Sequence, residues 1–179
     1  MRLEGQSKMG YYPTPDLQAK LIKTWLSGKN ARLLDPCCGM GEALAEIAGA
    51  LPGSQAYGIE LSDTRAAEAA NVLDHVLNTG FEYAVLTRGT FSAILLNPPY
   101  DGETETGSGT RLEERFLAET TPLLAAGGAL IYIIPHARIT EAVARHLAGW
   151  YEDLRCFHFA GEDYAAFKQV VIFGRKGTY

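Results

Sequence analysis

The chain has no apolar run near the roughly 18 residues that a membrane-spanning helix needs, and its N-terminus lacks the apolar core of a signal peptide. It has few cysteines: Cys37, Cys38 and Cys156. Two are adjacent and the third is distant, which fits neither zinc-site spacing nor a disulfide framework. Reduced thiols follow, and with them the expectation of a cytoplasmic protein with no metal and no membrane partner. A surplus of positive charge is also missing. Sixteen Lys and Arg face 21 Asp and Glu, for a net charge of −5, which counts against a dedicated nucleic-acid binder with a basic surface. There is no internal repeat and no low-complexity tail. What is present is 179 residues with 47% hydrophobic content, enough for one globular domain with a proper core. Residues 1–10 are polar and patternless and are expected to form a flexible arm. Residues 11–179 are expected to form the single domain.

Phe91 to Leu96 reads as a buried strand, and it runs directly into Asn97-Pro98-Pro99-Tyr100. The plain alternative is a Pro-rich turn that ends a strand. The residue types point further. An amino nitrogen conjugated to a purine ring is a weak nucleophile because its lone pair is delocalised. It gains reactivity when its N–H groups donate to fixed acceptors that favour a tetrahedral nitrogen. The Asn97 side-chain oxygen can be one acceptor and the Pro98 carbonyl the other. Pro98 has a locked φ, and Pro99 drives Pro98 towards extended backbone, so that carbonyl has little freedom. Tyr100 offers a face on which a flat base can stack, worth roughly 1–3 kcal/mol. Pro99 and Tyr100 are thus the first candidates for substrate contact, with Asp101 beside them.

A second site precedes it. Arg32 to Asp35 is a short strand, Asp35-Pro36-Cys37-Cys38-Gly39-Met40-Gly41 is a turn, and Glu42 to Leu51 is a helix with Leu44, Ile47 and Leu51 on one face. Strand, glycine turn and helix start make a nucleotide cradle. The dinucleotide fingerprint needs a third glycine, and Leu44 occupies its place. Gly39 and Gly41 let the backbone approach a ligand. Cys37 and Cys38 are packing residues rather than metal ligands, with Cys37 on the ligand side of the turn. Gln55 to Ile59 is a second strand. Glu60 closes it about twenty residues beyond the turn, where an acid can accept both hydroxyls of a ribose. Leu61 is placed to flank an adenine.

The spacing D-x-x-x-G-x-G followed by Asn-Pro-Pro-Tyr resembles the class I S-adenosylmethionine (SAM)-dependent amino-methyltransferases, and among them the N6-adenine DNA methyltransferases. The resemblance runs from Tyr11 to Arg175. It implies an α/β, Rossmann-like class I methyltransferase fold: a seven-stranded, mostly parallel sheet with a C-terminal antiparallel hairpin strand and helices on both faces. It implies SAM as cofactor and methyl transfer to the exocyclic N6 of adenine in DNA, with the base flipped from the duplex. Asp35 would hold the turn or engage the amino-acid end of SAM. An aromatic followed by Thr-Pro resembles the segment that closes over the methionine end, which puts Tyr12 and Thr14 there. An aromatic near Phe167 faces the flipped base in the DNA-modifying relatives. Where those relatives show Gly-Asp-aromatic, with the acid on the adenine amino group, this chain has Thr79-Gly80-Phe81. No carboxylate stands there, so Phe81 is left to stack or a backbone group to serve. No target-recognition domain follows the seventh strand, so a separate recognition partner is one expectation. RNA adenine or protein glutamine as substrate is an alternative, and so is a SAM-binding subunit without activity of its own.

The remaining elements are expected as follows. Thr14 caps a helix that starts at Pro15 and runs to Ser27, with Leu17, Leu21 and Trp25 as its repeating face. Ser62 caps a helix to about Asn78. Tyr83 to Thr87 is the third strand, joined tightly to the fourth through Arg88-Gly89-Thr90. Asp101 to Thr110 is a polar loop. Thr110 and Glu113 form a capping box for a helix to Leu124, which Gly127-Gly128 ends. Ala129 to Ile134 is the fifth strand, with His136 and Arg138 beyond it. Val143, Leu147 and Trp150 mark a helix. Leu154 to Phe159 and Gln169 to Gly174 form the closing hairpin.

Overall fold

The structure, a computed structural model, describes residues 12–100 and 111–178. The expected arm and the loop from Asp101 to Thr110, including Asp101 and Thr110 themselves, lie outside the described residues. Seven strands form one sheet in the order β3-β2-β1-β4-β5-β7-β6. They are β1 (Arg32–Asp35), β2 (Gln55–Glu60), β3 (His75–Asn78), β4 (Phe91–Leu96), β5 (Leu124–Pro135), β6 (Tyr151–His158) and β7 (Gln169–Lys176). The first five are parallel; β7 runs antiparallel to β5 and to β6. The helices are α1 (Asp16–Lys23), α2 (Glu42–Ala48), α3 (Asp63–Ala69), α4 (Leu112–Thr120), α5 (Glu141–Trp150) and α6 (Glu162–Phe167). This is the expected α/β architecture with its antiparallel closing strand. Among the described residues no helix is long and apolar enough to cross a membrane.

The central strands are apolar throughout because both of their faces are covered. Ala93, Leu95, Ile131 and Ile133 pack with Ile22, Leu44 and Ile47 on one side. Ile94, Leu96, Leu130, Tyr132 and Ile134 pack with Phe116, Leu117, Val143 and Leu147 on the other. Burying each Leu, Ile, Val or Phe side chain among them contributes roughly 1.5–3 kcal/mol. The consequence for function is rigidity. The C-terminal ends of β1 and β4 are neighbours, held by the pairs Leu33 with Ala93 and Leu34 with Ile94. The loops that follow those two ends are therefore brought side by side.

Several elements differ from the sequence expectation. The third strand is His75–Asn78, not Tyr83 to Thr87, and the helix from Ser62 ends at Ala69 rather than Asn78. β3 is an edge strand paired only with β2, and its side chains are largely exposed, so it carries no hydrophobic pattern. Residues 79–90 therefore span from one edge of the sheet to its centre and are not a tight link. The helix expected to reach Leu124 stops at Thr120; Leu124 already pairs with Phe91, and Gly127-Gly128 lies inside β5 at a register shift. The connection at 161–167 contains α6.

The first helix ends at Lys23, and its buried face is not the expected one. Leu17, Leu21 and Trp25 are 47%, 42% and 53% exposed, whereas Gln18, Ala19 and Ile22 are buried. Gln18 accounts for this. Its side chain donates to the Ala160 carbonyl (3.0 Å) and Asp163 (2.7 Å) and accepts from the Ala160 N–H (3.0 Å). Trp25 leans on Phe157 and Phe173 of the hairpin instead of entering the core. Thr14 does not cap the helix; Pro15 stands at that position and no side chain bonds the first turn.

Candidate active site

The turn after β1 depends on glycine. Gly39 and Gly41 have φ of +58° and +81°, in the left-handed region that side chains disfavour. A Cβ on Gly41 would also meet Leu73 Cγ at 2.9 Å. Within the turn, Asp35 Oδ1 accepts the Cys37 N–H at 2.9 Å. Asp35 is 4% exposed. Burial pushes its carboxyl up to about 7, and the nearby Glu60 charge adds to that rise against the Cys37 hydrogen bond. Burial also pushes the Cys37 and Cys38 thiols up, with the Asp35 charge adding to it, so both stay protonated. Among the described residues no group of three His, Cys, Asp or Glu is placed to hold a metal ion.

Glu60 ties this turn to the next element. Its Oε2 accepts the Gly39 N–H at 3.0 Å; its Oε1 accepts the Ser62 N–H at 2.8 Å and pairs with Arg65 at 2.6 Å. A carboxylate has about four acceptor sites, so one remains on Oε2. Glu60 is only 4% exposed, yet it lies in the wall of a cavity.

A carboxylate does lie near Gly80. A Cβ built on Gly80 would stand 2.7 Å from Glu82 Oε2. The Glu82 carboxylate thus fills the space that a residue-80 side chain would enter. Glu82 lines the same cavity, beside Phe81, which stacks on Phe116 of α4 with ring centroids 5.2 Å apart. Sequence reasoning passed over Glu82 because it lies two residues beyond the expected position, and the 3-10 turn at Phe81–Tyr83 is what folds it back.

At the end of β4 the Asn97 carboxamide is anchored on both sides. Its Nδ2 donates to the Tyr12 carbonyl (2.9 Å) and to Thr14 Oγ1 (3.1 Å). Its Oδ1 accepts the Tyr100 hydroxyl at 2.7 Å. Its backbone carbonyl accepts the Cys37 thiol at 3.2 Å, which joins the two loops directly. The Tyr100 hydroxyl also lies 3.1 Å from the Ile133 carbonyl and accepts Gln169 Nε2 at 3.0 Å. Burial pushes that hydroxyl well up, so it stays neutral.

One cavity of about 290 Å³ connects these groups, near the low end of the roughly 300–1,000 Å³ usual for small-molecule sites. Its wall includes Tyr12 and Thr14, Asp35, Cys37 and Gly41, Glu60 and Leu61, Phe81 and Glu82, and Asn97 and Pro99. Arg65 and Arg115, which the sequence did not single out, line it too. Gly39 is buried and is not in that wall. Pro98 and Tyr100 are not in its wall, and Pro98 is buried. Phe167 is half-buried at the end of α6, also away from the wall. His136 lies in a turn, exposed, with its N–H on the Lys168 carbonyl.

The profile of an uncharacterised methyltransferase family (DUF6094) matches residues 1–178. No curated protein matches the sequence. Among solved structures, a Listeria monocytogenes protein described as a class I S-adenosylmethionine-dependent methyltransferase is similar at a TM-score of 0.80 and 14% identity, over 98% of this chain and 64% of that one. A tRNA (m1A58) methyltransferase from Aquifex aeolicus is similar at 0.68 and 16% identity, over 95% of this chain and 74% of that one. TYW2 from P. horikoshii, in complex with MeSAdo, is similar at 0.67 and 14% identity, over 94% of this chain and 65% of that one. The chain thus spans just under two thirds of the length of the Listeria and P. horikoshii proteins. At these identities the likeness establishes a shared fold.

Proposed function

Because the chain belongs to the DUF6094 methyltransferase family, we propose that it binds S-adenosylmethionine in the cavity between Gly41 and Asn97. There it methylates a conjugated amino nitrogen, the exocyclic N6 of adenine in DNA. The observation that carries this is that Gly41 of the glycine turn and Asn97 line one cavity, with the two loops joined by the Cys37 thiol on the Asn97 carbonyl. The residues present fit the cofactor. Asp35 faces the end where an ammonium belongs, Glu60 keeps one acceptor site for a ribose hydroxyl, and Leu61, Phe81 and Glu82 flank a base. When bound, SAM supplies a methyl group on a positively charged sulfur.

The chain's own contribution is placement. Asn97 Oδ1 has a second lone pair beside the one that takes the Tyr100 hydroxyl, and that pair accepts a substrate N–H. The amino nitrogen is thereby held towards a tetrahedral shape, with its lone pair turned from the ring to the methyl. Fixing reactants near 3–3.5 Å supplies much of the acceleration in reactions of this kind. The Pro98 carbonyl is the proposed second acceptor and Pro99, which lines the cavity, the proposed base-side surface; a stacking role for Tyr100, outside that wall, requires the base to reach beyond it. The base-facing role that the resemblance gives Phe167 has no support from the cavity, whose wall it does not join. Tyr12 and Thr14 close over the methionine end.

Methyl transfer from tritiated SAM to DNA, RNA and protein tests the assignment. Label incorporated in DNA and recovered as N6-methyladenine supports it. Label in RNA or in glutamine moves the chain to that substrate. The Aquifex neighbour is a tRNA methyltransferase, which makes RNA adenine the second reading. No transfer at all, restored by a neighbouring gene product, identifies a subunit that needs a recognition partner.

Two expected results concern the cofactor. Glu82→Ala should weaken SAM binding about tenfold, the size of one charge-assisted hydrogen bond of roughly 1.5 kcal/mol, without lowering the melting temperature; titration calorimetry measures it. Asp35 gives a pH signature. Its free carboxyl titrates at about 7, and a bound ammonium favours the ionised form. SAM affinity should therefore fall as pH drops below 7, approaching tenfold per unit, and binding at pH 6 should release a proton. Calorimetry in two buffers of different ionisation heat reads the proton, and Asp35→Asn should abolish both effects.

A further inference from the structure

We infer that Gln169, the first residue of β7, is a positioning residue for Asn97 and acts through the Tyr100 hydroxyl. This deepens the function proposed above and rests on it for the role of Asn97. The Tyr100 hydroxyl has one proton and three polar neighbours: Asn97 Oδ1 at 2.7 Å, the Ile133 carbonyl at 3.1 Å and the Gln169 side chain at 3.0 Å. The Ile133 carbonyl can only accept. The Asn97 amide is held in one orientation because its other end faces the Tyr12 carbonyl, which also only accepts, so its NH₂ must lie there and its oxygen must face Tyr100. Two acceptors already compete for the single Tyr100 proton. The third neighbour must therefore donate, which places the NH₂ of Gln169 on the Tyr100 oxygen.

That donation has a directional consequence. It fills an oxygen lone pair and directs the Tyr100 proton to the far side, where Asn97 Oδ1 and the Ile133 carbonyl lie. It also polarises the O–H, so the bond to Asn97 is strengthened. Gln169 is 4% exposed, and its backbone is fixed by pairing opposite Pro135 in the sheet. The glutamine therefore stands on a rigid element and reaches the mouth of β4 from across β5. With it in place, the Asn97 carboxamide is held at both ends, and the open lone pair of Oδ1 has one direction. Without it, the tyrosine rotor can turn away, and the carboxamide keeps only its contacts to Tyr12 and Thr14.

The test is Gln169→Met, which keeps length and removes the donor, made in the wild-type chain and in Tyr100→Phe. The first readout is the pair of side-chain amide NMR signals of Asn97, assigned by their loss in Asn97→Asp; it requires no reaction. Gln169→Met should move these signals in the wild-type background and leave them unmoved once Tyr100 is Phe. The second readout is turnover. Gln169→Met should lower kcat about tenfold with the SAM affinity changed less than twofold, and should lower it no further in the Tyr100→Phe background. Should the methionine variant fail to fold, Gln169→Leu removes the donor with a smaller apolar side chain, with the same outcomes expected. Unmoved Asn97 signals, or equal movement in both backgrounds, overturn the inference. Moved signals in a wild-type chain that transfers no methyl leave the inference standing and overturn the proposed function instead.

Discussion

Asn97→Ala is expected to lower methyl transfer by roughly 10²–10³-fold, the range seen when one preorganised hydrogen-bond partner is removed from a reacting centre. Cofactor binding should survive with a smaller loss. The carboxamide does two things at once: its oxygen, which accepts the Tyr100 hydroxyl, is the proposed acceptor for the substrate, and its NH₂ holds the Tyr12 carbonyl and Thr14 Oγ1. Those two bonds are worth roughly 0.5–1.5 kcal/mol each, so losing them loosens the segment at 12–14 that walls the cavity. The two effects can be separated. Thr14→Val removes one strap contact and keeps the acceptor, so it should weaken SAM binding a few-fold and leave the single-turnover rate close to wild type. Single-turnover assays with tritiated SAM and calorimetry measure the two quantities. Full activity in Asn97→Ala would remove the basis for the proposed chemistry.

Glu60→Ala should damage both stability and binding. The carboxylate is buried and accepts from Gly39, Ser62 and Arg65. Removing one member of a buried charged pair typically costs about 3–5 kcal/mol. For a chain of this size that is a fall of roughly 6–20 °C in melting temperature. The glycine turn loses its anchor in the same step, so SAM binding should become undetectable at concentrations that saturate the wild type. Glu60→Gln is the informative partner. It retains an acceptor for Gly39 and most of the packing, so it should melt closer to the wild type while still binding SAM at least tenfold more weakly. Thermal melts followed by titration calorimetry give both values. An unchanged melting temperature and affinity in Glu60→Ala would show that the carboxylate anchors neither the turn nor the cofactor.

The ease of reading this chain varied with how local each signal was. The run Phe91 to Leu96 announces a strand buried on both faces, and β4 has those bounds. Gly39 and Gly41 announce a turn because only glycine takes those φ values without strain, and the turn lies at the cavity wall. The closing hairpin followed from two apolar segments a short distance apart. The third strand was not legible, because an exposed edge strand with one partner has no need of an alternating pattern. The first helix misled for the opposite reason. Its leucine stripe is regular, but the contact that orients it is a glutamine bonded to residue 160, more than a hundred positions away.

The site divides in the same way. Position 97 and the acid at 60 were visible because β4 and β2 end at them, and the loops following parallel strands are where such sheets bind ligands. The placement of Glu82 and Arg65 in the cavity wall and of Gln169 against Tyr100 was invisible. Glu82 reaches the cavity because a 3-10 turn folds it over Gly80, and Gln169 reaches Tyr100 because β7 inserts antiparallel beside β5. Residue types and spacing alone determined the glycine cradle and the rigid Asn-Pro-Pro-Tyr mouth, since each follows from the backbone limits of neighbouring residues, and they pointed to the class of fold through the family resemblance those two motifs carry. Tertiary structure alone decided which hydrogen bonds orient that mouth, because those partners are distant in sequence and meet only when the sheet closes.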